Sequence, residues 1–324
     1  MSYDLSLKEI RQARERIAPY VRRTPIAPAP LAHDDVPGTL RLKLENLQVS
    51  GSFKARGAFN NLLQATPEQQ ARGVLVGSGG NHGLAIAYAA TRLGIPATVI
   101  LPTTASADRA GRIASWGATV VRFGENPSET LAYVAERAAS EGLLNVHPFD
   151  AQWTVQGTAT LGLELLEDVP DVDCLLIAIG GGGLIGGMSA AIKQTRSDVR
   201  IIGVEPRGAS KMRQSLDAGV VVELAEVRTI ADTLAPRYVS PRTLFLTQRY
   251  VDDVVLVDDS DMLAAMRWLW RECNQLVEPA GAAVIAALQS HAVNIEGSKR
   301  PVALICGGNA PAESVFASFQ PRTI

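Results

Sequence analysis

A lysine stands in the first turn of a helical pattern, in Ser50-Gly51-Ser52-Phe53-Lys54-Ala55-Arg56-Gly57-Ala58-Phe59. A lone helix lysine ordinarily sits on a solvated face. Here small residues precede Lys54 and Phe53 is beside it. A lysine near a helix N-terminus and out of water loses proton affinity, as an amine that forms imines must. Further along runs Gly180-Gly181-Gly182-Gly183-Leu184-Ile185-Gly186-Gly187. Glycines let backbone amides approach a phosphate, and a helix N-terminus adds partial positive charge. Four glycines in a row exceed what a tight turn needs, so this segment is read as a phosphate site. A third segment, Gly77-Ser78-Gly79-Gly80-Asn81-His82-Gly83, offers amides with Ser78 and Asn81 as a cradle for a carboxylate. Cys306-Gly307-Gly308-Asn309 forms a fourth turn, which alone reads simply as a turn.

These turns need elements to position them. From about residue 73 short apolar runs alternate with helical patterns. Strands are expected at Gly73–Gly77, Ala97–Leu101, Thr119–Phe123, Cys174–Ile179, Arg200–Val204, Val254–Val257 and Val302–Cys306. Helices are expected at Gly80–Leu93, Ser106–Trp116, Pro127–Glu141, Gly183–Thr195, Asp259–Cys273 and Pro279–Ser290. A break falls near Asn145–Trp153. Continuous apolar strands separated by helices mark parallel α/β sheets covered on both faces. The two series predict two doubly wound parallel-sheet domains, and ligands in such sheets sit beyond the carboxyl ends of the strands. The glycine-rich turns fall at strand-to-helix junctions, where a site belongs.

Composition excludes other classes. The 324 residues are 47% apolar and 20% charged with a formal charge of −2, which gives no electrostatic reason to expect nucleic acid. The N-terminal MSYDLSLKEIRQARERI is a charged amphipathic helix pattern without a signal-peptide core. No run of about 18 apolar residues suggests a spanning helix. Cys174, Cys273 and Cys306 form neither a disulfide framework nor a CxxC metal pattern. A reduced, soluble, cytoplasmic protein is expected.

The tetraglycine admits two readings, because Gly181, Gly183 and Gly186 also satisfy GxGxxG and Glu205 ends the next strand. An NAD-dependent dehydrogenase would use those four residues but leave Ser52–Gly57 and Ser78–Gly83 idle. The ordered set Lys43-x-Glu45-Asn46, Ser52-Phe53-Lys54-x-Arg56-Gly57, Ser78–Gly83, the tetraglycine and Cys306–Asn309 resembles the threonine/serine dehydratase and serine racemase group. These are fold-type II pyridoxal-phosphate enzymes, with a fold like that of the tryptophan synthase β chain. The resemblance runs from Arg23-Thr24-Pro25 to Asn309.

The resemblance implies pyridoxal phosphate as cofactor and a division into 1–65 with 150–324 as a large domain and 66–149 as a small inserted one. It implies that Lys54 carries the cofactor as an imine and serves as catalytic base, with Phe53 against a face of the ring. Asn81 would bond the ring's 3′-oxygen, the Gly180, Gly181, Gly182, Gly183 and Leu184 amides the phosphate, and Cys306 would face the pyridine nitrogen. Ser78, Gly79, Asn81 and the His82 backbone would hold the substrate carboxylate. A thiol keeps the ring neutral, which suits prompt expulsion of a β leaving group. The implied reaction is β-elimination of water from a hydroxy-amino acid such as L-threonine or L-serine, giving a 2-oxo acid and ammonia. β-Replacement, as in cysteine synthases, is the alternative on the same fold, but His82 favours the dehydratase branch. A homodimer is the family expectation.

The sequence also departs from the group. Racemases carry a serine where Gly79 stands. Metal-binding relatives carry an acid six residues after a glutamate, whereas Glu205 is followed by Lys211, so no metal is expected. Ala231-Asp232-Thr233 replaces Ala-Asp-Gly. Glu278, in Val277-Glu278-Pro279, corresponds in the resemblance to an acid near the ring in some relatives, but is read as a charge at a helix N-terminus.

Overall fold

The computed structural model describes residues 3–29, 39–105, 107–125 and 127–310, without the side chains of 127 and 128. In chain order the strands are β1 (Ile26–Pro28), β2 (Arg41–Leu44), β3 (Val74–Gly77), β4 (Ala97–Leu101), β5 (Thr119–Arg122), β6 (Cys174–Ala178), β7 (Arg200–Pro206), β8 (Asp253–Val257) and β9 (Pro301–Ile305). The helices are α1 (Leu7–Ile17), α2 (Lys54–Leu62), α3 (Pro67–Arg72), α4 (Asn81–Leu93), α5 (Ala107–Ser115), α6 (Pro127–Glu141), α7 (Gln152–Asp168), α8 (Gly183–Lys193), α9 (Lys211–Ala218), α10 (Pro241–Tyr250), α11 (Asp259–Cys273) and α12 (Pro279–Gln289).

Two sheets result. The larger has the order β1-β2-β9-β6-β7-β8 and is parallel except for β1, which runs antiparallel to β2 at one edge. The smaller is β3-β4-β5, all parallel. Every residue of β6 and β9 is buried, the pattern of central strands covered on both faces. Leu175, Ile177 and Leu304 pack with Ile185 of α8 and Val284 of α12 in the larger core, while Val76, Ile86 and Val99 anchor the smaller one.

The expected strands and helices form with ends shifted by at most two residues; Ser106, the expected first residue of α5, lies outside the described residues. The sequence reading missed β1, β2, α3, α7, α9 and α10. In β2, Arg-Leu-Lys-Leu lacks an apolar run because Lys43 is buried as one half of ion pairs. In α7 the residues from Thr154 to Leu165 are all buried, threonines, glutamine and glycines included, so no polar face marks the helical period. Its glycines serve close approach. A Cβ on Gly157 would lie 2.5 Å from the Arg56 carbonyl oxygen of α2.

A charged cluster holds α2, β2 and α7 together. Arg56 is 2% exposed, and its guanidinium donates to both oxygens of Glu45, at 2.9 and 2.7 Å, and to Glu164 at 2.9 Å. Lys43 donates to Glu164 at 2.6 Å, to Asp168 at 2.7 Å and to the Thr24 carbonyl at 2.7 Å. The Thr24 hydroxyl donates to Glu45 at 2.6 Å. Burial alone would raise the Glu45 carboxyl, but the charge and hydrogen bonds of Arg56, with Thr24 and Lys43, hold it below the carboxylate range.

Arg56→Met leaves Glu45 and Glu164 buried beside one cation fewer, and should cost about 3–5 kcal/mol of stability. Denaturant unfolding would measure it; a loss within error would mean that the cluster is not what ties α2 down. The depressed Glu45 carboxyl contributes stability that is present above its ordinary value of 4.5 and lost as pH falls through the folded value. Glu45→Gln should therefore flatten the fall in stability below about pH 4.5.

Candidate active site

Beyond the carboxyl ends of β3 and β6 lies a cavity of about 770 Å³. Lys54, Ser78, Asn81, Gly181, Glu278 and Cys306 all line it. Each reaches the cavity through an identifiable local constraint.

Lys54 is the first residue of α2, and Ser52 just before it pairs as an isolated bridge with Gly307. The Phe53 N–H donates to the Cys306 carbonyl at 3.2 Å, and the Gly308 N–H to the Gly51 carbonyl at 2.9 Å. The Asn309 amide donates to the Ser50 carbonyl at 2.9 Å and to Asn81 Oδ1 at 2.7 Å. Gly51 is required there: it has φ +75° and a Cβ would come 2.4 Å from Asn309 Oδ1. The lysine turn and the last turn are thus stitched together.

The amine of Lys54 donates to the Pro148 carbonyl at 2.6 Å and lies 5.0 Å from the centre of the Phe53 ring. Burial lowers it to about 8, against the opposing pull of Cys306 and Glu278. A substantial neutral fraction is then present just above neutral pH.

Gly180–Gly183 connect β6 to α8. Among the described residues, no acceptor meets the N–H groups of Gly180, Gly181, Gly182 or Gly183. A Cβ on Gly181 would come 2.2 Å from the Phe149 ring, and Gly182 has φ +89°. The turn therefore presents a row of donors at a helix N-terminus, where anions are favoured. Leu184 follows in the first turn of α8 and also lines the cavity.

Ser78, Gly79 and Gly80 lead from β3 into α4. The Ser78 hydroxyl accepts from the Gly80 N–H at 3.4 Å. Gly79 has ordinary backbone geometry, and a Cβ there would meet only Leu101 Cδ2 at 3.4 Å and Arg109 Cδ at 3.9 Å. The His82 ring is buried and donates through Nε2 to the Val146 carbonyl at 2.8 Å. Burial, aided by the charge of Lys54, lowers it to about 3, so the ring is neutral. Its imidazole ties α4 to the segment before α7.

One group at the site was assigned elsewhere by the sequence reading, and one segment escaped it. Glu278 does precede α12, but its carboxylate does not cap that helix: it turns into the cavity and accepts from Asn81 Nδ2 at 2.6 Å. Burial pushes the carboxyl up to about 7, with the Asn81 hydrogen bond pulling the other way. The second is the segment read as a break. Val146, Pro148 and Phe149 meet His82, Lys54 and the glycine turn in succession. Irregular backbone carries no periodicity, and only the position of the break between the two series signalled it. Cys306 donates its thiol to the Ala280 carbonyl at 3.4 Å, and burial raises its pKa well above the usual range, so it is neutral. The Thr233 hydroxyl lies 3.5 Å from Glu278.

A family model described as pyridoxal-phosphate dependent enzyme matches residues 17–307. A phenylserine dehydratase of Ralstonia pickettii is 42% identical over 94% of this chain and 94% of its own. A catabolic L-threonine dehydratase of Staphylococcus aureus is 36% identical over 94% of this chain and 89% of its own. The structure of maize serine racemase superposes with a TM-score of 0.92 at 32% identity, covering 98% of this chain and 97% of that one.

The neutral His82 ring has a measurable signature. The unfolded chain binds a proton at this position near 6.5, whereas the folded chain does so only near 3. Acid therefore favours the unfolded state, and this contribution to stability declines as pH falls from 6.5 toward 3. In NMR the His82 ring resonances should stay constant between pH 7.5 and 5.5. A titration midpoint near 6.5 would show a ring open to water.

Proposed function

The chain belongs to the pyridoxal-phosphate-dependent enzymes, and on that footing we propose that it removes the hydroxyl and amino groups of a hydroxy-amino acid, releasing a 2-oxo acid and ammonia. The observation that carries this reading is Lys54, whose amine, at about 8, faces a cavity beside a turn of unengaged N–H groups. The donor set suits the cofactor: an amine for its aldehyde, amides at a helix N-terminus for its phosphate, an aromatic ring and a neutral thiol for its pyridine. When bound, pyridoxal phosphate draws electron density away from Cα of the amino acid joined to it.

In this reading Lys54 would hold the cofactor, and Gly180–Gly183 with Leu184 its phosphate. Phe53 would pack on a ring face, Asn81 would meet the 3′-oxygen and Cys306 the ring nitrogen. Ser78, Gly79, Asn81 and the His82 backbone would orient the substrate carboxylate. Lys54, once free, takes the Cα proton. Loss of the β-hydroxyl and hydrolysis of the resulting enamine give the 2-oxo acid and ammonia with no net change in water. Support for a hydroxylated substrate comes from the two dehydratases named above, which act on phenylserine and threonine. The neutral Cys306 adds to it, because a ring left unprotonated favours expulsion of a leaving group over a long-lived carbanion.

The reading extends to organisation. Residues 66–149, which carry the smaller sheet, would form the substrate-closing unit inserted between 1–65 and 150–324, although 311–324 lie outside the described residues. Among the described residues no helix is long and apolar enough to cross a membrane. A cytoplasmic homodimer fits the three free thiols and the exposed Trp270 and Leu263 of α11.

Borohydride reduction of the holoenzyme followed by peptide mapping should place the cofactor on Lys54, and Lys54→Ala should lose both the label and 2-oxo acid release. A label on Lys43, Lys193 or Lys211 would overturn the assignment. A second expectation separates elimination from racemisation, which needs a proton carrier on each face of Cα. Lys54 supplies one, and Gly79 has no side chain to supply the other. With L-serine, pyruvate should greatly exceed D-serine. The turn has room for a side chain, so Gly79→Ser should fold and raise the D-serine fraction. Chiral chromatography reads both; D-serine forming as fast as pyruvate in the unmodified enzyme would overturn the argument that Gly79 leaves the site without a second proton carrier.

A further inference from the structure

Leu131 is an apolar side chain that the core does not take up. Along α6, Thr130, Val134 and Ala138 are buried at every fourth position, and the last two pack with Leu75 of β3 and Ile100 of β4. Leu131 stands beside that stripe and is 49% exposed. A leucine exposed singly needs no explanation, but this one lines the cavity. A Cβ on Gly77 would lie 3.3 Å from its Cδ2, and Gly77 directly precedes Ser78, to which the substrate carboxylate is assigned. The side chain therefore stands next to the place of the amino acid.

Other walls of the cavity share its character. Pro102 and Ala105 line it after β4, and Phe149, Ala235 and Pro236 line it from elsewhere in the chain. Charges are few and engaged. Among the described residues that line the cavity, the cations are Lys54 and Arg109; Arg109 is paired with Asp232, and Lys54 is the amine assigned to the cofactor. A second carboxylate on a substrate would meet no uncommitted cation there, and a charge out of water without a partner is costly. An apolar group would instead cover apolar walls, and the gain grows with the area removed from water. The volume, about 770 Å³, is that of sites for ligands of drug size.

We propose, resting on the function assigned to this site above, that Leu131 is its specificity-determining residue and selects hydroxy-amino acids carrying an apolar group, aryl or alkyl, on Cβ. An aryl group covers more of the wall than the methyl group of threonine, and serine covers none of it. The order of preference is therefore phenylserine, then threonine, then serine, with 3-hydroxyaspartate last.

The test first uses amino acids that lack a β-hydroxyl, so that it reads the wall whatever the reaction. L-Phenylalanine, L-alanine and L-aspartate are titrated into the holoenzyme, and binding is followed by the absorbance of the cofactor. Phenylalanine should bind at least tenfold more tightly than alanine, and aspartate more weakly than alanine. Leu131→Asn, similar in size but polar, should cut the phenylalanine-to-alanine ratio at least fivefold while alanine stays within twofold. Leu131→Met should keep the ratio. Because Leu131 lies off the buried stripe, both variants should share the thermal midpoint of the unmodified protein. Phenylalanine binding no better than alanine, or aspartate binding as well as phenylalanine, would overturn the proposed class with no variant needed. A ratio unchanged in Leu131→Asn, or equal weakening of phenylalanine and alanine, would overturn the role of Leu131. Release of 2-oxo acid from phenylserine, threonine, serine and hydroxyaspartate is then measured separately. Turnover of none of the four would remove the dehydratase reading, while the phenylalanine-to-alanine ratio would still decide whether the wall selects apolar side chains.

Discussion

Four charges buried at the junction of β2, α2 and α7 govern where the amine of Lys54 sits. Arg56 follows Lys54 by two residues on α2, and its guanidinium is clamped by Glu45 at the end of β2 and Glu164 on α7. Lys43 balances the second carboxylate, so two cations meet two anions out of water. Such a cluster adds little stability over an apolar core of the same shape, but its geometry admits few alternatives. A slip of α2 by one residue would leave a charge unpaired in the interior. The cluster therefore fixes the rotation and height of the first turn of α2, and with them the lysine that opens it.

The cavity itself holds few fixed charges. His82 and Cys306 are neutral, Glu278 is poised at about 7 and Lys54 at about 8. Arg109 and Asp232, which also line it, are paired with each other, so binding is left largely to backbone dipoles, which cannot be titrated away, while Glu278 and Lys54 lie near neutrality. Low charge and fixed dipoles favour bound anions without trapping a proton permanently on any one side chain.

Much of this was legible in the sequence. β6 and β9 are continuous apolar runs, and the glycine turns fall where strands give way to helices, so both the class of fold and the turns around the cavity could be read locally. What could not be read depends on partners distant in sequence. Lys43 and Glu164 are separated by 121 positions and Arg56 and Glu164 by 108, and nothing near any of them signals burial. β2 went unseen because its lysine belongs to that cluster, and α7 because it is buried throughout. Glu278 was placed correctly at the start of α12, but the direction of its side chain depends on Asn81, which is 197 residues away. Lys211 was legible only as a cation out of place; the Ile179, Ala209 and Leu234 carbonyls and the Glu205 carboxylate around its buried amine come together only on folding.

The pairing of β2 with β9 bears on the order of assembly. Arg41 is registered with Val302, and Phe53 bonds to Cys306, so the larger sheet and the turn of Lys54 both wait for the chain to pass residue 306. The smaller sheet draws its three strands from Val74 to Arg122 and can gather much earlier. Closing long loops costs entropy before any contact repays it, which makes the larger sheet the slow step. During synthesis the nascent chain would hold a partly formed smaller unit while β2 still presents an unpaired edge. A lysine able to react with aldehydes is thus kept from its final environment until the chain has passed residue 306.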